Sequence, residues 1–126
     1  MGHLFTPGAD VTFTVGADVT ADQLVAVTGN RTVSPAGAKS AAWIGTAAFA
    51  AKAGEKVTVK RGGVQRILAS GAIAAGALVV AAATGKVAAL AAVTTPTAAD
   101  VTDTRAVVGI ALTGGTDVLV EIALSR

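Results

Sequence analysis

At 126 residues, 52% of them hydrophobic and 14% charged, the chain is long enough for one domain that buries roughly two-thirds of its unfolded surface. It has no cysteine, which excludes disulfides, thiolate metal sites and cysteine nucleophiles, and a net charge of +2 is too small to call for a nucleic-acid partner. The apolar content is mostly Ala and Val, with three Phe, one Trp and no Tyr; at ~25 cal/mol per Å² of buried apolar surface such a core is thin, and oligomerisation is a common remedy.

The opening Met1-Gly2-His3-Leu4-Phe5-Thr6-Pro7 has neither a basic n-region nor an apolar h-region, so no secretory signal is expected. His3 is the sole histidine and lies at a chain end, a poor place for a buried triad or a histidine metal site. Gly8-Ala9-Asp10-Val11-Thr12 recurs as Gly16-Ala17-Asp18-Val19-Thr20. Starting within the first copy, Val11-Thr12-Phe13-Thr14-Val15 alternates cleanly as a strand. Asp18 to Val27 has room for one helical turn capped by Thr20. Ser34-Pro35-Ala36-Gly37 reads as a loop. Trp43, in a chain this poor in aromatics, is expected to fill the core or a subunit interface.

Val57-Thr58-Val59-Lys60 and Val64-Gln65-Arg66-Ile67-Leu68 flank Gly62-Gly63, the pattern of a β-hairpin whose tip needs positive φ. Lys52, Lys56, Lys60, Arg61 and Arg66 cluster there. Such a run can track phosphates, but it lacks the aromatics that stack bases, so a solvated hairpin or an acidic protein partner is the stronger reading. A nucleic-acid-binding accessory protein using this basic 52–66 hairpin is the alternative.

From Ile67 to Gly85 nineteen residues carry no charge, about the length of a minimal membrane span. Three glycines, an Ala-rich make-up and the absence of an aromatic belt argue against one. Residue propensity favours a helix across Ala72–Ala92, yet Thr84-Gly85-Lys86 stands where Thr28-Gly29-Asn30 stands earlier, and a turn there divides the segment into strands. Thr84-Gly85-Lys86-Val87 lacks the upstream glycine and following hydroxyl of a phosphate-binding loop. Thr94-Thr95-Pro96-Thr97 is a loop, and Asp100 with Asp103 is ordinary polar loop chemistry rather than a cation site. The last strand, Val118 to Leu124, puts Val118, Val120, Ile122 and Leu124 on one face and Glu121 on the other.

These segments follow one another in the same order twice. An apolar run (Leu24-Val25-Ala26-Val27; Leu78-Val79-Val80) leads to a Thr-Gly turn, a strand with a hydrophobe-Gly pair (Ile44-Gly45; Val108-Gly109) and a Gly-led strand of alternating valines (Gly54 to Val59; Gly115 to Val120). Two similar β units sharing one core are expected. No catalytic constellation lies in either copy, so the expectation is no enzyme, no cofactor and no metal.

The order Ala53-Gly54-Glu55-Lys56-Val57-Thr58-Val59, Ala72-Ile73-Ala74-Ala75-Gly76-Ala77-Leu78-Val79, Thr84-Gly85-Lys86-Val87, Val108-Gly109-Ile110-Ala111-Leu112 and Asp117-Val118-Leu119-Val120-Glu121-Ile122 resembles the small capsid decoration (cement) proteins of tailed bacteriophages. The resemblance is to the group whose members often carry a recombinase-like label, and it spans about residues 8–124. That label has no support here, since no nucleotide loop or acidic metal cluster is present. The resemblance implies a virion protein on the outer surface of the icosahedral head, commonly a homotrimer at three-fold or quasi-three-fold positions, with the major capsid protein and itself as partners and neither nucleic acid nor membrane. The expected fold is mainly β, a compact β-barrel or β-sandwich with little helix. Residues 1–16 are expected to form an extended N-terminal arm able to add a strand to a capsid sheet. Residues 17–126 are expected to form a single β domain with a pseudo-repeat at about 22–68 and 75–124. Leu4, Phe5, Val11 and Phe13 are the candidate capsid contacts, and Lys52, Lys56, Lys60, Arg61 and Arg66 the candidate charged face.

Overall fold

In the computed structural model, which describes residues 10–90 and 106–124, the described chain is mainly β-strand joined by turns and irregular segments. β1 (Val11–Val15), β2 (Leu24–Gly29), β3 (Thr32–Pro35), β4 (Trp43–Ala47) and β5 (Lys56–Lys60) close a barrel in the order β1-β3-β2-β4-β5. The β1–β3 pair is parallel, with Val15 opposite Val33, and the other pairs are antiparallel. Alternation explains the lining: Phe13, Val15, Val25, Val33, Val57 and Val59 turn inward and form one buried cluster with Val19, Ala47 and Ala51. The Arg31 guanidinium lies 5.4 Å from the centroid of the Phe13 ring, a cation–π contact on an otherwise buried phenyl.

The second sheet holds β6 (Val64–Leu68), β12 (Leu119–Leu124), β10 (Val107–Ala111), β8 (Leu78–Ala82) and β9 (Lys86–Ala89) in that order. A further pair, β7 (Ala72–Ile73) with β11 (Gly115–Thr116), lies beside it. The order of pairings repeats that of the barrel, β6 standing for β1, β9 for β3, β8 for β2, β10 for β4 and β12 for β5. Even the parallel closure has a counterpart, in the Ala69–Val87 bridge. Irregular hydrogen bonds match as well. Gly16 N–H donates to Val33 O (2.8 Å) and Ser70 N–H to Val87 O (2.7 Å); Asp22 N–H donates to Ala47 O (2.9 Å) and Gly76 N–H to Ala111 O (2.7 Å). The correspondence therefore starts at β1, ahead of the segment from residue 22 that the sequence pattern brings out.

The two units pack through one face. Leu24, Ala26, Ala36 and Trp43, on the outside of the first barrel, join the buried cluster that fills the second unit with Ile67, Val79, Val87, Val108, Val120 and Ile122. β2 is thus covered on both sides, which is why Leu24-Val25-Ala26 is a continuous apolar run rather than an alternating one. Trp43 is 1% exposed at this junction. Gln23 Nε2 donates to Thr84 O (2.9 Å), while Gly85 N–H donates to Ala36 O and Lys39 N–H to Ala81 O.

Several local expectations change. Residues 21–22 make a turn, not a helical turn, and Thr20 N–H donates to Gln23 Oε1 (2.9 Å) before β2 begins. Ser34 and Pro35 lie within β3 rather than in a loop. Gly62 and Gly63 do adopt positive φ (68° and 63°). However, β5 and β6 belong to different sheets, so the pair is a crossover and not a hairpin. Val118 precedes the last strand and is 49% exposed, whereas Val120 and Ile122 are buried. The Ala-rich stretch is β7, β8 and β9, broken by a short 3₁₀ turn at Ala83–Gly85 where Thr84 and Gly85 both have positive φ. No helix among the described residues is long and apolar enough to cross a membrane.

Candidate interaction surface

Of the expected capsid contacts, Leu4 and Phe5 lie outside the described residues. Val11 and Phe13 are in β1, paired to both β3 and β5. Phe13 is 6% exposed and Val11 is half-buried against the barrel cluster. Their alternation serves the protein's own core, so residues 11–15 are a barrel strand and these two side chains are not free to anchor a partner.

The basic residues do not form one face. Lys56 and Lys60 bound β5; Lys56 Nζ donates to Thr14 Oγ1 (3.0 Å), and Lys60 pairs with Asp22 at 3.1 Å. Lys52 sits in the turn before β5, where its N–H donates to Glu55 Oε1 (2.7 Å). Arg61 is half-buried at the crossover, and Arg66 is on β6 in the second sheet, 4.0 Å from Glu121. The crossover that replaces the expected hairpin divides these cations between two units and removes the continuous phosphate-tracking element of the nucleic-acid alternative.

An apolar surface not anticipated from the sequence lies on the outside of the second sheet. Register puts Leu78 opposite Ile110, Ile110 opposite Ala123, and Ala123 opposite Val64. Directly opposed residues point to the same side. Leu78, Ile110 and Val64 are 45%, 46% and 54% exposed, while the alternate positions Val79, Ala111 and Ile122 are buried. Leu68 opposite Leu119 extends the surface along β6 and β12. These two leucines also line an open cleft of about 390 Å³ at the junction of the units, with Asp22, Gln23 and Gly85. The sequence signal was present in the unbroken run Leu78–Ala82, but whether its second face meets protein or solvent depends on distant strands.

The fold and this surface define a two-unit β protein with an exposed apolar row on the outside of its second sheet. Its architecture is similar to that of the head fiber gp8.5 N base of bacteriophage phi29, with a TM-score of 0.67 and 19% sequence identity over 94% of each chain. No curated protein matches the sequence. Residues 5–122 match the family described as phage cement protein, and the chain belongs to that family. The family is a structural one rather than an enzyme family, and the protein is a virion component of the capsid exterior.

Proposed function

We propose that this protein binds the outside of the icosahedral phage head as a homotrimer at three-fold or quasi-three-fold positions, contacts the major capsid protein and stabilises the mature shell. The observation that carries the reading is the cement-protein family match across nearly the whole chain. The fold is compatible with it, because a doubled β body with lysines on the outside of its first unit and an apolar outer face on its second has room for both self-contacts and shell contacts. A trimer engages several equivalent shell sites at once, so modest individual contacts become strong through effective concentration. In this reading Leu4 and Phe5, which precede β1, insert into the shell surface, and Lys52, Lys56 and Lys60 add a salt-sensitive contribution.

The test is the stability of expanded heads with and without the purified protein, read as the temperature at which packaged DNA becomes accessible to dye. A rise that saturates with occupancy is expected. Full occupancy with no change would remove the stabilising role while leaving a decoration role in place.

A further inference from the structure

We infer that the exposed apolar face of the second sheet, centred on Leu78 and Ile110, is where a second copy of this chain packs. The inference rests on the self-assembly part of the proposed function and specifies the face that carries it.

The two units correspond strand for strand. Leu78 holds on β8 the place that Leu24 holds on β2, and Ile110 holds on β10 the place that Thr46 holds on β4. In the first unit both positions are 0% exposed: Leu24 joins the buried cluster of the second unit, and Thr46 Oγ1 donates to Oε1 of Gln65 on β6 (3.5 Å). In the second unit their counterparts are 45% and 46% exposed. One register-matched face is thus already an interface within the chain, and its duplicate is open at Leu78 and Ile110 while Val80, the match of Ala26, is buried. On β8 the chain itself buries Val79, Val80, Ala81 and Ala82 and leaves only Leu78 open, so the uncovered part of the duplicate is the row Leu78, Ile110 and Val64.

The rest of the first barrel supplies the contrast. At the positions matching Leu68, Leu119 and Ala123, its outer face has Thr14, Lys56 and Lys60, as expected for a surface that meets solvent. Charge also favours a like partner. Arg66 and Glu121, directly opposed beside the apolar row, balance each other, so the face carries no net charge there that would repel a neighbouring copy. In a cyclic assembly with more than two members each contact joins two different patches. The face is therefore expected to meet another region of the neighbouring copy rather than itself.

The chain has no cysteine, so one introduced thiol reports on one place. Ile110→Cys and, as the comparator on the solvent-facing side of the first barrel, Thr12→Cys are titrated with a maleimide while the sedimenting mass is measured. The inference expects an oligomer in which Cys at position 110 reacts at least about tenfold more slowly than Cys at position 12, the factor set by the opening equilibrium of a covered site. Adding Leu78→Lys, an exposed change beside it, should yield monomers with an unchanged far-ultraviolet circular dichroism spectrum and restore fast labelling.

Equal labelling at both positions in a protein that sediments as an oligomer overturns the face while leaving self-assembly intact. Slow labelling that persists in the monomeric Leu78→Lys background assigns the cover to the chain's own residues and also overturns it. A wild-type protein that sediments as a monomer at micromolar concentration refutes the self-assembly reading itself. Loss of head binding by an Ile110→Lys variant that still forms the wild-type oligomer identifies the face as a shell contact instead.

Discussion

Gly45 and Gly109 occupy matching places in β4 and β10, and both are glycine for the same reason. A Cβ on Gly45 would run into the Lys60 carbonyl oxygen, and a Cβ on Gly109 into the Ala123 carbonyl oxygen. In each case the obstacle is the backbone of the next strand, which cannot rotate away. Gly45→Ala and Gly109→Ala are therefore each expected to lower stability by about 1–3 kcal/mol, the usual range for overpacking, measured by urea denaturation. Loss below about 0.5 kcal/mol, the scale of neutral surface changes, would show that the strands part easily. The hydrophobe-Gly pair was readable as a repeated motif, but its cause was not, because the clashing atom belongs to a different strand further along the chain in both units. Phe13 teaches a related lesson. Its place on an alternating face was legible, whereas what covered that face was not. Because it is buried, Phe13→Ala should cost about 3–5 kcal/mol of stability, and any loss of head binding should track unfolding in a thermal melt rather than occur in a folded protein.

Among the elements, the docking contributions proposed for the residues before β1 and for β5 can be separated by experiment. Burying one phenylalanine contributes ~1.5–3 kcal/mol, whereas an ion pair as exposed as Lys60–Asp22, with 33% and 40% of the side chains accessible, contributes ~0–1 kcal/mol. Deleting residues 2–9, which removes Leu4 and Phe5 and spares all of β1, should weaken binding to expanded heads strongly and leave the circular dichroism spectrum and oligomer mass unchanged. Lys56→Ala with Lys60→Ala should cost less and mainly flatten the salt dependence of binding. Wild-type occupancy for the deletion together with loss of binding for the lysine pair would reverse these roles. The crossover at Gly62-Gly63 marks the limit of local reading: two positive-φ glycines specify a change of direction, and the same turn serves a hairpin or a step between sheets. Which it is depends on β12 pairing with β6, a contact formed across more than fifty residues of chain. The strands within Ala72–Ala89, by contrast, followed from one local signal, the Thr84-Gly85 turn that interrupts a helix-prone run.

For the whole molecule, the doubled topology accounts for how a chain rich in Ala and Val folds at all. Each unit has a small core, and Leu24, Ala26, Ala36 and Trp43 join the first unit to the core of the second, so neither is expected to persist without the other. Gly85 sits at that seam with φ of 70°, and a Cβ there would come within 2.7 Å of the Leu24 carbonyl oxygen. Gly85→Ala should lower the melting temperature of the whole protein in a single transition, and two separate transitions would show that the units fold independently. At this scale the proposed function requires that the chain occupy the outside of the mature head. Its most direct test is a side-chain-resolution electron-microscopy map of expanded heads incubated with the purified protein, compared with heads left bare. Added density is expected on the outer surface only, at three-fold or quasi-three-fold positions, into which three copies of the doubled β body fit. Unchanged heads at saturating protein, or density confined to the inner surface, would contradict it.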